Sequence, residues 1–260
     1  MDKMIDKKIG IIGCGHMGSA IIQGVLESNL CKADNILASA AHEKKVCGVA
    51  CGTDNITVAR GTDILIMAVR PGDFETIAAE IKDSVKDDVT VVSVAAFVSL
   101  DDMKNAFGRN LKFVRAMPNG PVSVGEGMTA VCGNVDNSVI EIFSACGKCE
   151  VVQEALLDAV IAVSGSSPAY VYMFIRAMAE KVHELGMSKE FALEFAAQAV
   201  LGSAKVVQSL DVDPDELIEE ICTPGGTTIE AVETLKDEGF EEAVKDAMQS
   251  AFDKAKGNVS

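Results

Sequence analysis

The 260-residue chain contains no tryptophan and only two tyrosines, and aromatics make up 5% of it. Its core must therefore be filled by Ala, Val, Ile, Leu and Met, within a hydrophobic fraction of 48%. No run of eighteen or more apolar residues is present, so no helix is expected to span a membrane. The apolar stretch after Lys7 and Lys8 is broken by Gly10, Gly13, Gly15 and Gly18 and continues without a cleavage-like context, so no secretory leader is expected. Basic residues are scarce: 23 Lys and Arg stand against 39 Asp and Glu, a net charge of −16. Such a surface repels phosphate backbones, so no nucleic acid partner is expected, and an anionic ligand must be held by local N–H groups or a few cations.

Metal-site spacings are also missing. There are three histidines, and His42 and His183 read as surface or packing residues. Cys146-Gly147-Lys148-Cys149 has the spacing of half a zinc site or of a redox pair. Cys47 and Cys51 stand four apart with no histidine pair to complete a second half. The eight scattered cysteines are read as reduced thiols of a cytoplasmic protein, and no metal is expected.

What is present is an alternation of short apolar runs and helical segments. Lys8 to Ile12, Asn35 to Ser39, Ala50 to Thr53, Ile64 to Val69, Val89 to Val94, Leu111 to Arg115, Met128 to Cys132 and Glu150 to Gln153 read as strands. Helices are expected over His16 to Ser28 and Asp73 to Val85. From Glu154 onward only helices are found: Ser167 to Leu185, a helix capped by Ser188 and running to Leu210, one opened by Asp213-Pro214-Asp215-Glu216, one with Thr227 and Glu230 at cap spacing, and Phe240 to Lys256. The expected fold class is α/β: a Rossmann-type doubly wound parallel sheet over residues 1–153, followed by an all-α domain over 154–260. Helices such as Ala169 to Met178 are apolar on more than one face, which points to an intertwined oligomer.

Gly13-Cys14-Gly15-His16-Met17-Gly18 fits G-x-G-x-x-G between a strand and a helix, the context that a dinucleotide site requires. Gly13 permits the turn, Gly15 lets a pyrophosphate approach and Gly18 lets the helix pack closely. His16 either touches a phosphate or fills space. The acid that would bind an NAD ribose is missing: Ser39 stands near its place, followed by Ala40, Ala41, His42, Glu43, Lys44 and Lys45. Small polar and basic residues there tilt the expectation toward NADPH over NADH, although Lys44 and Lys45 read equally well as a solvated helix face.

Met117-Pro118-Asn119, Ser164-Gly165-Ser166-Ser167-Pro168-Ala169-Tyr170 and Thr223-Pro224-Gly225-Gly226-Thr227-Thr228-Ile229 carry a more specific signal. With them the chain resembles the pyrroline-5-carboxylate reductase family, in order from Ile9 to the last helix. The resemblance implies hydride transfer from NAD(P)H to the C=N carbon of a cyclic imino acid, giving L-proline, the last step of proline biosynthesis. It also implies a helical domain through which homodimers interlock, in many members building decamers. For the substrate carboxylate it implies the backbone of Gly225, Gly226, Thr227 and Thr228, helped by the hydroxyls of Thr223 and Thr228, with Ser164 and Ser166 nearby. A glycine-rich turn at a helix start suits an anion. For the cofactor it implies Asn119, beside the motif residues Gly13, Gly15, His16, Met17 and Gly18, with Ser39 near the ribose place, and Ala68, Val69, Arg70, Pro71, Ala95 and Ala96, which end strands at the carboxyl edge of the sheet where ligands bind in such folds. Hydride transfer needs alignment more than acid–base side chains, so no catalytic residue is assigned.

The chain departs from the family pattern at four places. Ile161 stands where the family has a Thr linked to the imine proton, Gly120 replaces a Thr, Phe97 replaces a Gly, and Arg70-Pro71-Gly72-Asp73 replaces Lys-Pro-Gln. These leave open a divergent imine reductase or a non-catalytic dinucleotide-binding regulator. A β-hydroxyacid dehydrogenase, with its similar opening motif, would need a Lys that Ser164 to Arg176 lacks.

Overall fold

The computed structural model describes residues 4–257. The described residues divide into two compact units, one of residues 4–165 with 255–257 and the other of residues 166–254.

The first unit is built on strands whose residues are buried on both faces. Strands β1 (Ile9–Ile12), β5 (Ile64–Met67) and β6 (Thr90–Ser93) are wholly buried, as continuous β-branched runs at the centre of a covered sheet should be. They join β2 (Ile36–Ser39), β3 (Lys44–Val46), β4 (Val49–Gly52), β7 (Lys112–Met117), β8 (Gly127–Gly133) and β9 (Gly147–Val151) in one sheet of order β3-β4-β2-β1-β5-β6-β7-β8-β9. From β4 to β7 all neighbours are parallel and the order is that of a Rossmann domain, reversing between β1 and β5. β3 is added antiparallel to β4, and β8 antiparallel to β7.

Five α-helices follow the strands: α1 (His16–Glu27), α2 (Asn55–Gly61), α3 (Phe74–Ile81), α4 (Leu100–Phe107) and α5 (Asn137–Ser144). Ile21, Ile22 and Val25 of α1 close one side of the sheet, and Phe74, Ala78, Ile81, Met103 and Phe107 of α3 and α4 the other. The unit continues past its last strand. A short helix, α6 (Leu157–Val160), runs into a π-helical turn, Ile161–Gly165. Leu157 is fully buried against Ala130 and Cys132 of β8, and buried Arg115 of β7 faces Glu154 at 3.6 Å and Asp158 at 3.9 Å. The sequence-level division falls at 153/154; by compactness these twelve residues pack with the sheet.

The second unit is helical: α7 (Ser167–Glu184), α8 (Lys189–Ser209), α9 (Pro214–Ile221), α10 (Thr227–Asp237) and α11 (Phe240–Ala255). Ser188 caps α8 by accepting from Phe191 N–H, and Asp213 caps α9 by accepting from Asp215 N–H. Little of it is buried: α7 has no buried residue and α8 only Ala192 and Ala196, while Tyr172 is 62% and Phe195 64% exposed.

Candidate active site

β1 hands over to Gly13, whose φ of +97° few other residues adopt and whose Cβ would lie 2.4 Å from the Ala68 carbonyl oxygen. The N–H groups of Gly13 and Cys14 donate to the Ser39 carbonyl at 3.0 and 3.2 Å, closing the turn onto β2. A Cβ on Gly18 would stand 2.3 Å from the Gly13 carbonyl oxygen, so only glycine lets α1 start so close beneath the turn. Gly15, the N-cap, has open space where a side chain would be. No side chain caps α1, its first turn has no acid, and the first intrahelical bond runs from Ser19 N–H to Gly15 O. The N–H groups of His16, Met17 and Gly18 thus have no intrahelical acceptor and favour an anion. The Cys14 thiol is pushed up to about 12, by burial first and then by its contact with Cys51, so it adds no negative charge beside that anion.

The turn opens into a cavity of about 560 Å³ at the carboxyl ends of β1, β2 and β5, where the strand order reverses. Gly13, Gly15, Ala68, Val69 and Arg70 line it, as do Lys44 and Asn55. Asn55 escaped the sequence reading; it opens α2 and meets the site only through the fold, accepting from Ser39 Oγ at 2.7 Å and donating to Glu80 at 2.9 Å. Ser39 is fully buried and acts through that bond and its carbonyl. Lys44 lies on β3, not on a helix face, and its amine donates to the Cys14 carbonyl. His16 borders an adjoining recess with Ser19, Gln23 and Lys44, and Met17 is half-buried against the core. Pro71 starts a short 3-10 turn in which Arg70 Nε meets Asp73 at 2.8 Å. Ala95 and Ala96 leave β6 at the same sheet edge without lining the cavity; the Ala95 N–H is held by Ser93 Oγ.

A second constellation of the same unit stands at the end of β7. The Asn119 amide is used at both ends, donating to the Ser164 carbonyl at 3.2 Å and accepting from Met128 N–H at 2.9 Å. It pins the π-helical turn against the sheet. Within that turn Ile161 is buried, and the Ser164 hydroxyl is buried with no hydrogen-bond partner among the described residues. Such a turn and an unsatisfied hydroxyl are features that collect at functional sites.

In the second unit, Thr223-Pro224-Gly225-Gly226 forms a type II turn. Proline occupies its second position, Gly225 its third at φ +74°, and Gly226 N–H donates to the Thr223 carbonyl at 2.9 Å. The N-cap of α10 is Gly226 rather than Thr227, and no side chain satisfies it. The first N–H groups of α10, from Thr227 onward, therefore await an acceptor beside the exposed Thr223 and half-buried Thr228. Ser166 is half-buried and precedes α7.

The Cys146 and Cys149 thiols are each pushed up to about 11 by burial, with Glu150 adding to the second. Among the described residues no group of His, Cys, Asp and Glu is arranged to hold a metal ion.

Two family models match the chain: pyrroline-5-carboxylate reductase dimerisation over residues 154–258, and NADP oxidoreductase coenzyme F420-dependent over residues 8–97. The pyrroline-5-carboxylate reductase of Escherichia coli is 42% identical over 96% of this chain and 98% of its own length. That of Methanosarcina acetivorans is 35% identical over 97% and 98%. Among solved structures, the Plasmodium falciparum pyrroline carboxylate reductase with NADP bound superposes with a TM-score of 0.90 at 30% identity, covering 98% of this chain and 99% of that one. The Coxiella burnetii pyrroline-5-carboxylate reductase gives 0.89 at 28% identity, covering 98% and 100%.

Proposed function

The chain belongs to the pyrroline-5-carboxylate reductase family, and we propose that it divides its work between two glycine-rich turns, one in each unit. It is an NAD(P)H-dependent oxidoreductase that reduces L-1-pyrroline-5-carboxylate to L-proline, the last step of proline biosynthesis. The observation that carries the division is that each turn precedes a helix whose first N–H groups no side chain caps.

The residues fit a dinucleotide. The Gly13–Gly18 turn offers its free N–H groups to the diphosphate, and Gly15 leaves the room that a phosphate needs. Ala68, Val69 and Arg70 form the far wall of the cavity, and Asn119 keeps the Ile161–Gly165 turn in place at the same sheet edge. When bound, the dinucleotide supplies the hydride. The N–H groups of Thr227 and Thr228, with the hydroxyls of Thr223 and Thr228, take the substrate carboxylate. The imine is electrophilic once protonated, so these groups orient and align rather than act as acids or bases. Ile161 offers no hydroxyl to the imine nitrogen.

The dimerisation region supports homo-oligomerisation. The finer reading is a homodimer formed through the helical unit, with decamers a further step, supported by exposed apolar side chains on α7 and α8. Among the described residues no helix is long and apolar enough to cross a membrane. All eight cysteines are free thiols, which supports a reducing, cytoplasmic setting.

The test is steady-state oxidation of NADPH and NADH with pyrroline-5-carboxylate, with reduction of NADP+ and NAD+ by a 3-hydroxy acid as control. Turnover only with the imino acid is expected. Dinucleotide binding without turnover would contradict the reading and favour a regulator.

A further inference from the structure

Resting on the cavity as the dinucleotide site, we infer that Lys44 is the residue that recognises the 2′-phosphate of NADPH. In this fold an NAD-selective site carries a carboxylate at the end of its second strand, where it takes the ribose diol. Here β2 ends in Ser39, whose hydroxyl is already spent on Asn55, and Ala40 and Ala41 follow. No acid stands at the end of β2.

The short β3–β4 hairpin puts a cation there instead. Its two-residue turn has φ +47° at Cys47 and +91° at Gly48, the two positive values of a type I′ turn, which sets a tight antiparallel register of Lys44 with Cys51 and Lys45 with Ala50. Side chains alternate along a strand, so Lys44 shares a face with buried Val46 while Lys45 takes the other. Accordingly Lys44 lines the cavity and Lys45 does not.

Lys44 is also available. Its amine rests on a neutral acceptor, the Cys14 carbonyl, and meets no carboxylate among the described residues. Arg70, the other strong cation of the lining, is tied to Asp73 and its side chain is 86% exposed. A charge-assisted bond to phosphate is stronger than a bond to a carbonyl, so the amine gains by the exchange. In a chain of net charge −16, a local cation of this kind is what an extra phosphate would need.

The two lysines of β3 supply the test. With the full-length enzyme, kcat/KM is measured for NADPH and for NADH in wild type, Lys44→Gln and Lys45→Gln. The NADPH/NADH ratio should fall about tenfold or more in Lys44→Gln and stay within about twofold in Lys45→Gln. A ratio unchanged in Lys44→Gln overturns the inference; if both cofactors weaken together, Lys44 serves the diphosphate. Should wild type turn over neither cofactor, the reductase reading fails, and calorimetric titration with 2′,5′-ADP against 5′-ADP still decides this one. Loss of the preference for 2′,5′-ADP in Lys44→Gln supports it, and an equal preference in both proteins overturns it.

Discussion

At Phe97 the backbone lies at φ +67° and the ring is 55% exposed, just after β6 leaves the sheet at its ligand edge. The family resemblance places glycine here, and the positive φ supplies the reason. A bulky side chain in the left-handed region costs about 1–2 kcal/mol, and the exposed ring recovers little of it by burial in the protomer. Phe97→Gly should therefore raise unfolding stability by about 1 kcal/mol in urea denaturation, whereas a loss of stability would show that the ring is packed in the working assembly. The glycines of the opening motif were legible from sequence for the same kind of reason. Gly13 and Gly18 are forced by contacts of 2.4 and 2.3 Å that no side chain could survive. Asn55 was not legible, because its place beside Ser39 arises from tertiary proximity.

Among the elements, β3 of the β3–β4 hairpin is one that sequence patterning hid. β3 is three residues long with two exposed lysines, so it shows neither a buried run nor a readable alternation. Its turn is nevertheless strongly specified in backbone terms. Cys47 is a poor residue for its φ of +47°, where Asn or Gly is preferred. Cys47→Asn should stabilise the protein by about 0.5 kcal/mol or more, read as a rise in thermal midpoint; a fall would mean that the thiol makes a contact worth more than the turn. The central strands β1, β5 and β6 were legible because burial on both faces leaves an unbroken apolar run. Helices α2 and α4 were not picked out, since they span only seven and eight residues and each buries only two. The strand expected at Glu150 to Gln153 appears as β9 at Gly147–Val151, an edge strand with no fully buried residue and so no sharp pattern. At α10, Thr227 had the spacing of a cap, yet Gly226 takes the position. That substitution leaves the N–H groups free for a ligand.

At the scale of the whole molecule, the second unit shows water the kind of side chain that a core would hide: Tyr172, Phe191, Leu193 and Phe195 are each more than half exposed. Such surface marks an interface. Sedimentation should find an oligomer, and Phe195→Glu should shift it toward smaller species; a wild-type monomer at micromolar concentration would contradict the homodimer reading. The central claim, that separate turns hold the two ligands, is tested most directly by Gly226→Val. A Cβ at Gly226 would stand 2.8 Å from Thr223 Oγ1 and 3.0 Å from the Thr223 carbonyl oxygen, disturbing the carboxylate turn while the Gly13–Gly18 turn lies in the other unit. The decisive measurement is the NADPH dissociation constant of this variant beside its KM for pyrroline-5-carboxylate. The account predicts a KM raised about tenfold or more with NADPH affinity held within about twofold; a parallel loss of both would contradict it.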